Sequence, residues 1–187
     1  MNGHVAEPAR RTPVHARVDV LVVGAGPAGL AAAVSAAPGG AHVLLVERYG
    51  FLGGMGTAGG VTNFAGLYGT RGGVMQPLVR GVADELLARI DALGGLNAPQ
   101  DGLQGRIRVR SYDVAAYKCA ADGLLLDAGV QLLFHAWAAG VVMDEAGGNP
   151  ANPAIAAVLL ETKSGRVAVQ AREFIDCSGD GDIAQFA

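Results

Sequence analysis

The feature that most constrains this chain is a stretch near its beginning, where an apolar run leads into a turn with three glycines. Residues 18–23 are apolar at every position but one and are followed at once by Gly24, Gly26 and Gly29. In this spacing the first glycine permits a tight turn, the second lets a ligand approach the backbone, and the third lets a helix pack closely on a strand. The pattern therefore predicts a strand, a tight turn and a helix.

A second apolar strand completes the unit. Residues 42–46 lead into Glu47, roughly 20 residues beyond the glycines, which is the usual distance for an acid that binds a ribose. The helix N-terminus offers unpaired N–H groups and the positive end of its dipole, so it favours phosphate without a lysine. Strand, helix, strand and acid together predict a dinucleotide-binding βαβ unit. The alternative, a plain strand–turn–helix whose glycines serve only packing, is disfavoured because all these parts occur in register.

The acid also bears on the choice of dinucleotide. A carboxylate at Glu47 repels a ribose 2′-phosphate, so FAD or NAD is favoured over NADP. The neighbouring Arg48 keeps NADP open as an alternative, since an arginine near this position accommodates a 2′-phosphate.

Composition excludes several classes of protein. The chain has 187 residues, which is typical of one domain, and its 14 basic and 17 acidic residues give no basic patch, so nucleic acid is not an expected partner. No apolar segment is long enough to span a bilayer, so no membrane partner is expected. Residues 1–17 contain Arg10 and Arg11, but the apolar run behind them belongs to the nucleotide motif. We therefore interpret residues 1–17 as a disordered leader of a cytoplasmic protein rather than an export signal.

The two cysteines do not predict redox chemistry. Cys119 and Cys177 lie far apart and form no C-x-x-C motif, so a redox-active disulfide is not expected. We interpret Cys119 as a small core residue on a helix.

The middle of the chain predicts helices that pack on the sheet. Apolar spacing indicates a helix within residues 78–93, and alternation indicates a strand at 106–110 whose arginines form a solvated face rather than an anion site. Ser111 or Asp113 caps a further helix that ends at Gly129, before a buried strand at 130–134.

The last third of the chain predicts a change of sheet type. Residues 138–144, 155–162 and 167–172 are expected to form a three-stranded antiparallel meander, with loops at 147–150 and 163–165. A last parallel strand at 173–176 returns the chain to the main sheet. The predicted fold class is α/β: a Rossmann-like FAD/NAD(P)-binding domain with a parallel sheet flanked by helices and an inserted antiparallel β-meander.

Two glycine-rich loops extend the candidate site. Residues 49–60 carry apolar side chains, which favours a loop of backbone amides over a flat aromatic or anionic ligand rather than a flexible linker. In the second loop, Gly179 lets backbone approach a ligand and Asp180 can bind a polyol hydroxyl, the alternative being an ordinary acidic turn. Calcium-loop and zinc spacings are missing, so no metal site is predicted. His135 is expected to be structural rather than catalytic, and no catalytic residue is assigned.

Taken together, these motifs resemble a known family. The glycines of residues 24–29, Glu47-Arg48, the loop at 53–59, the meander and the Asp176-Cys-Ser-Gly-Asp180 stretch are similar to those of FAD-dependent oxidoreductases in the glutathione-reductase-like flavoprotein superfamily. The likeness covers residues 18–186. It implies FAD as cofactor, hydride transfer at flavin N5 and a small-molecule substrate.

The resemblance also implies a set of cofactor-binding residues. The first glycine turn would cradle the pyrophosphate, Glu47 the adenosine ribose, the loop at 53–59 would run toward the flavin, and the second glycine turn would meet the pyrophosphate and ribityl end. Backbone near Ala138 and Ala139 would contact adenine. The full set is Gly24, Gly26, Pro27, Ala28, Gly29, Glu47, Arg48, Gly53, Gly54, Thr57, Ala139, Gly179 and Asp180.

Members of that superfamily continue past the second glycine turn into a substrate or cap part. Residues 18–187 are therefore expected to form the N-terminal FAD-binding domain without that C-terminal part. Two alternatives remain open: a non-catalytic nucleotide-binding fragment, and an NAD-linked or thiazole-synthase-like protein built on the same first motif.

Overall fold

The computed structural model describes residues 3–5, 7–144 and 153–187. The predicted loop at 147–150 lies outside these residues. The strands are β1 (Val14–Val23), β2 (Val43–Val46), β3 (Asn63–Phe64), β4 (Tyr68–Arg71), β5 (Val74–Pro77), β6 (Gln100–Gly102), β7 (Ile107–Ser111), β8 (Gln131–Leu133), β9 (Ala136–Met143), β10 (Ile155–Thr162) and β11 (Gly165–Asp176). The α-helices are α1 (Pro27–Ala36), α2 (Val82–Ala92), α3 (Val114–Asp127) and α4 (Asp182–Phe186).

Within the described residues, six strands form the main sheet in the order β8-β2-β1-β11-β10-β9. The pairs from β8 to β11 are parallel, and β10 pairs antiparallel with both β11 and β9. β2 is buried along its whole length, as expected of a parallel strand covered on both faces. The predicted α/β class with an inserted antiparallel meander is confirmed.

The two faces of the sheet carry separate cores. Val22 and Leu45 face one side and pack with Leu30 of α1 and the buried residues of α2 and α3. Leu21 and Leu44 face the other side and pack with the meander and α4. This alternation follows from the two-residue period of a strand, which turns successive side chains to opposite faces.

β11 differs from its prediction. The sequence indicates two strands, at 167–172 and 173–176, but the structure has one continuous strand. β1 pairs with it from Ala168 to Asp176, with one register shift between Val14 and Ala16 of β1, and this pairing spans both predicted segments. The same pairing starts β1 at Val14, and residues 14–17 of the predicted leader therefore belong to the sheet.

The predicted helices α2 and α3 are present, with one boundary and one burial prediction corrected. The Asp113 side chain accepts a hydrogen bond from the Ala116 N–H at 2.8 Å and caps α3 as predicted. α2 begins at Val82 rather than at residue 78, because Gly81 precedes it with a φ of 75°. The prediction that Cys119 is a core residue is wrong: its side chain is exposed on the outer side of α3.

Residues 63–111 add small sheets that the sequence does not predict. β4 and β5 form a hairpin, and β3, β7 and β6 form a short antiparallel sheet. The predicted strand at 106–110 is confirmed as β7. Arg108 binds Asp101 on β6 at 2.7 Å and Arg110 donates to the Asn97 carbonyl, so these two arginines serve local structure.

Candidate cofactor site

The site lies where three parallel strands end at one level. Val23 of β1 is paired with Val46 of β2 on one side and with Asp176 of β11 on the other. The order of strands changes side at β1, because β2 lies next to it on one side and β11, the strand that returns to the sheet, on the other. Crevices outside the carboxyl ends of strands at such a point are where α/β sheets bind ligands.

A groove of about 410 Å³ opens at this edge, within the range of about 300–1,000 Å³ that ligand pockets occupy. A smaller recess adjoins it, and the two share Gly24, Glu47, Arg48 and Ser178. The predicted site residues that line the groove are Gly24, Gly26, Pro27, Ala28, Glu47, Arg48, Gly54, Gly179 and Asp180. Gly29, Gly53, Thr57 and Ala139 do not line it.

The three glycines of the first turn are required for different reasons. Gly24 has a φ of 95°, and a Cβ there would lie 2.3 Å from the Cys177 carbonyl oxygen. A Cβ on Gly29 would lie 1.8 Å from the Gly24 oxygen, so this glycine allows α1 to pack against the turn. A Cβ on Gly26 would meet only the Gly54 Cα, at 3.9 Å. Contacts within the protein therefore explain why Gly24 and Gly29 lack a side chain. They do not explain Gly26, whose open side belongs to the groove.

α1 begins directly behind this open position. Gly26 precedes the helix with an extended backbone, Pro27 occupies its first turn, and no side chain caps it. Proline suits the first helical position because its missing N–H would have no partner there. The remaining unpaired N–H groups and the positive end of the dipole favour an anion at this end of the groove.

Glu47 is built into the turn as well as into the groove. Its side chain is 5% exposed, and its two oxygens accept hydrogen bonds from the Ala25 N–H at 2.8 Å and the Tyr49 N–H at 2.9 Å. Each carboxylate oxygen has a second acceptor position, so capacity for ribose hydroxyls remains. The sequence did not indicate these backbone contacts, since nothing in the pattern marks which amides lie nearby.

Gly53 and Thr57 shape the neighbouring loop rather than the groove wall. The Gly53 N–H donates to the Ala25 carbonyl at 2.8 Å, and the buried Thr57 hydroxyl donates to the Leu52 carbonyl at 2.7 Å. Gly54 packs so tightly on Gly26 that a Cβ would lie 2.7 Å from the Gly26 Cα. Beyond it, Met55, Ala58 and Gly59 complete this side of the groove.

A cluster of three aromatic rings packs against this loop. Phe64, Tyr112 and Tyr117 lie with centroids 4.6 to 5.8 Å apart. The Tyr112 hydroxyl lies within hydrogen-bond distance of the carbonyls of Gly56 and Val61. Burial raises the pKa of Tyr117, whose ring is completely buried. The residues are too far apart in sequence for their spacing to have revealed the cluster.

One carboxylate organises the opposite wall. Asp176 accepts hydrogen bonds from the N–H and hydroxyl of Ser178 through one oxygen, and from the N–H groups of Ile183 and Ala184 through the other. Burial acts to raise the pKa of Asp176, but these hydrogen bonds outweigh burial and hold it below its usual value. The turn that they fix presents Gly179 and the exposed Asp180 to the groove.

Cys177 lines the groove, and His135 lies in the turn between β8 and β9. Burial, and then the charge of Asp176, raise the pKa of Cys177, which keeps the thiol protonated and poorly nucleophilic. His135 is exposed with a φ of 54°, and its ring fills the space where a Cβ on Gly50 would stand. These contacts pack His135 against the loop after β2.

Ala139 lies at an irregularity of β9 beside the recess. Ala136, Trp137 and Ala138 line the recess, whereas Ala139 does not. The pairing of β9 with β10 shifts register here, from Ala138 opposite Leu160 to Gly140 opposite Leu159, so Ala139 has no direct partner on β10. Trp137 was not among the predicted site residues.

No cluster of three or more histidine, cysteine or acidic side chains suited to a metal occurs in the described part of the chain. Among the same residues, no helix is both long and apolar enough to cross a membrane.

The fold and the groove define a dinucleotide-binding domain of the Rossmann-like class. Residues 19–187 match the family model "FAD dependent oxidoreductase", so the chain belongs to this family. Family membership confirms the resemblance of the motifs to those of FAD-dependent oxidoreductases and the expectation of FAD as the cofactor.

Two curated relatives match over short stretches. Thiamine thiazole synthase from Aeropyrum pernix is 62% identical over 40 residues, which are 21% of this chain and 15% of the relative. Sarcosine oxidase subunit alpha from Corynebacterium sp. (strain P-1) is 56% identical over 48 residues, which are 26% of this chain and 5% of the relative. The chain thus matches only a small part of either relative's length.

Solved structures share the fold at low identity. The crystal structure of Thermovibrio ammonificans THI4 superposes with a TM-score of 0.60 at 18% identity, over 91% of this chain and 61% of that one. A geranylgeranyl bacteriochlorophyll reductase-like protein from Thermoplasma acidophilum superposes with a TM-score of 0.56 at 20% identity, over 91% of this chain and 41% of that one.

Proposed function

We propose that this chain binds FAD across the groove, with the pyrophosphate at the N-terminus of α1, and acts as the FAD-binding part of a glutathione-reductase-like flavoprotein oxidoreductase. The observation that carries the proposal is the open space beside Gly26 in front of an uncapped helix. Since no protein atom fills that space, a glycine there is explained by close approach of a ligand to the backbone.

The remaining groove residues fit the two ends of the cofactor. The free acceptor positions of Glu47 suit the adenosine ribose, and the recess beside Ala136 and Ala138 suits the adenine. Gly179 and Asp180 face the other end of the pyrophosphate and the ribityl chain. Gly29, Gly53 and Thr57 act indirectly, because they hold the turn and the loop in place.

When bound, FAD supplies hydride and electron transfer through its isoalloxazine ring. The residues of this chain bind and orient the cofactor. The proposed substrate is a small molecule of unassigned class, and the acidic balance of the chain argues against nucleic acid. We propose a cytoplasmic location, because the apolar residues after Arg10 and Arg11 form strand β1 rather than the apolar region of an export signal.

A second candidate is a thiazole-synthase-like protein, which the local identity to thiamine thiazole synthase favours. Sarcosine oxidase subunit alpha matches over a stretch of similar length, so this identity alone does not choose between the two. An NAD-linked protein and a non-catalytic nucleotide-binding fragment remain further alternatives.

The test is a binding measurement on the purified chain. FAD, NAD and NADP are titrated separately by calorimetry, and the visible flavin bands are followed through gel filtration. We expect FAD to bind and to co-elute with the protein. A folded chain, as judged by circular dichroism, that binds NAD and not FAD would overturn the proposal in favour of the NAD-linked alternative.

A further inference from the structure

Five side chains form a continuous stacked row beside the groove. The Lys118 Nζ lies 3.4 Å from the centroid of the Phe51 ring, and that ring stacks on Tyr49 at 5.6 Å with planes 9° apart. The Arg48 guanidinium carbon lies 4.9 Å from the Tyr49 centroid and 5.2 Å from the Trp137 centroid. Lys118 thus lies at one end of a Phe51–Tyr49 stack and Arg48 between Tyr49 and Trp137, with the cations at distances typical of cation–π contacts.

The row connects separate elements of the fold. Lys118 lies on α3 and Trp137 on β9, the edge strand, while the three residues between them belong to the loop after β2. Tyr49 is 39% exposed and Trp137 is 54% exposed, so the order of the row does not come from burial in a core. It ties the loop that follows β2 to a helix at one end and to a strand at the other.

Arg48 is the member of the row that matters to an anionic ligand. Arg48 is the one cationic side chain among the residues lining the groove and recess. The same lining contains three carboxylates, those of Glu47, Asp180 and Asp182. A guanidinium flanked by Tyr49 and Trp137 loses rotational freedom, while its N–H edge stays free to donate. Because the side chain is already ordered before the ligand binds, binding loses less side-chain conformational entropy.

We propose that this stacked row positions Arg48 for FAD, and that Lys118, which lies outside the groove, raises FAD affinity through Phe51 and Tyr49. Lys118 is thus a positioning residue that does not touch the cofactor. The proposal rests on FAD occupying the groove as proposed above.

The test combines affinity with a spectroscopic signal. Dissociation constants for FAD and ADP are measured by calorimetry for the wild-type chain, Lys118→Met, Phe51→Leu and the double variant. Lys118→Arg keeps a cation over the ring, and Lys163→Met removes an exposed lysine in a distant turn as the matched control. Trp137 is the single tryptophan of the chain, so its fluorescence anisotropy reports the far end of the row without activity.

We expect Lys118→Met and Phe51→Leu each to raise both dissociation constants about two- to fivefold, which is the size of one exposed cation–π contact. The double variant should lose no more than either single one, because both break the same link. Lys118→Met should also lower the anisotropy of Trp137, and Lys118→Arg should restore both signals. Lys163→Met should match the wild type.

Three results separate the possible failures. If the wild-type chain binds FAD and Lys118→Met binds it equally well, the positioning role is wrong while the proposed function stands. The role is equally wrong if Lys118→Arg weakens binding as much as Lys118→Met. If the wild-type chain binds neither FAD nor ADP, the proposed function itself fails and the inference falls with it.

Discussion

The two walls of the groove both depend on glycine, but for opposite physical reasons. In the β1–α1 turn, added Cβ atoms on Gly24 and Gly29 would collide with backbone oxygens. In the wall after β11, Gly179 and Gly181 have open space around them and are needed for φ values of 95° and 76°. Packing therefore excludes a Cβ in the first wall, where Gly24 also has a φ of 95°, whereas backbone conformation alone requires glycine in the second.

This difference changes what supports each wall. The first wall is held by strand, turn and helix packed against one another. The second is held by Asp176, whose two oxygens collect four donors from the residues that follow. We expect substitutions in the first wall to disturb the fold, and those in the second to loosen a turn.

The largest expected effect is that of Gly29→Ala. Its Cβ would lie 1.8 Å from the Gly24 oxygen, so α1 must shift away from the turn. We expect the free energy of unfolding, measured by urea denaturation, to fall by about 3 kcal/mol. Gly39→Ala is the control, because a Cβ there meets no atom within 4 Å. Equal midpoints for Gly29→Ala and wild type would refute the packing argument.

Asp176→Asn should have the next largest effect. An amide NH₂ would face N–H donors where one carboxylate oxygen now accepts, so at least one pair of hydrogen bonds is lost. We expect the free energy of unfolding to fall by about 2–3 kcal/mol. The exposed Asp180 on the same turn provides the control variant, Asp180→Asn, and similar losses for both would contradict the assigned role of Asp176.

The same carboxylate predicts a pH dependence. Because the pKa of Asp176 is lowered on folding, its stabilising contribution is complete above the usual aspartate pKa and is lost as pH falls through the lowered value. Stability of the wild-type chain should therefore decrease in acid more steeply than that of Asp176→Asn. Parallel stability curves for the two proteins, measured by urea denaturation at a series of pH values, would show that Asp176 contributes nothing to the acid dependence.

Gly179→Ala should have the smallest of these effects. Nothing lies near the added methyl group, so the cost is that of placing an L-residue at a φ of 95°. We expect a loss of about 1–2 kcal/mol in the free energy of unfolding. A loss as large as that of Gly29→Ala would mean that packing, and not conformation, selects this glycine.

The parts of the fold that the sequence predicted are those with local patterns. The βαβ unit follows from apolar runs, glycine spacing and the position of Glu47, and the meander from alternation. β3, β4, β5 and β6 were missed because strands of two to four residues are too short to show a periodic signal. The continuity of β11 was missed because its pairing with β1 joins segments far apart in sequence.

The sequence predicted most of the residues that line the groove, but not the tertiary contacts that hold them in place. Most of the proposed cofactor-binding residues line the groove, since motif positions follow directly from the ends of strands. The contacts of Glu47 with Ala25 and Tyr49, and the stacking of Arg48 on Trp137, depend on tertiary structure. Ala139 lies beside the recess-lining Ala138, at a register shift between β9 and β10 that no sequence pattern marks.

The most direct test of the account is FAD binding by Gly26→Ala beside the wild-type chain. The added Cβ has no protein atom nearer than 3.9 Å but occupies the space proposed for the pyrophosphate. The account predicts unfolding free energies within about 0.5 kcal/mol of each other and an FAD dissociation constant at least about tenfold weaker for the variant. Equal FAD affinity in the two proteins would contradict the placement of the cofactor at the N-terminus of α1.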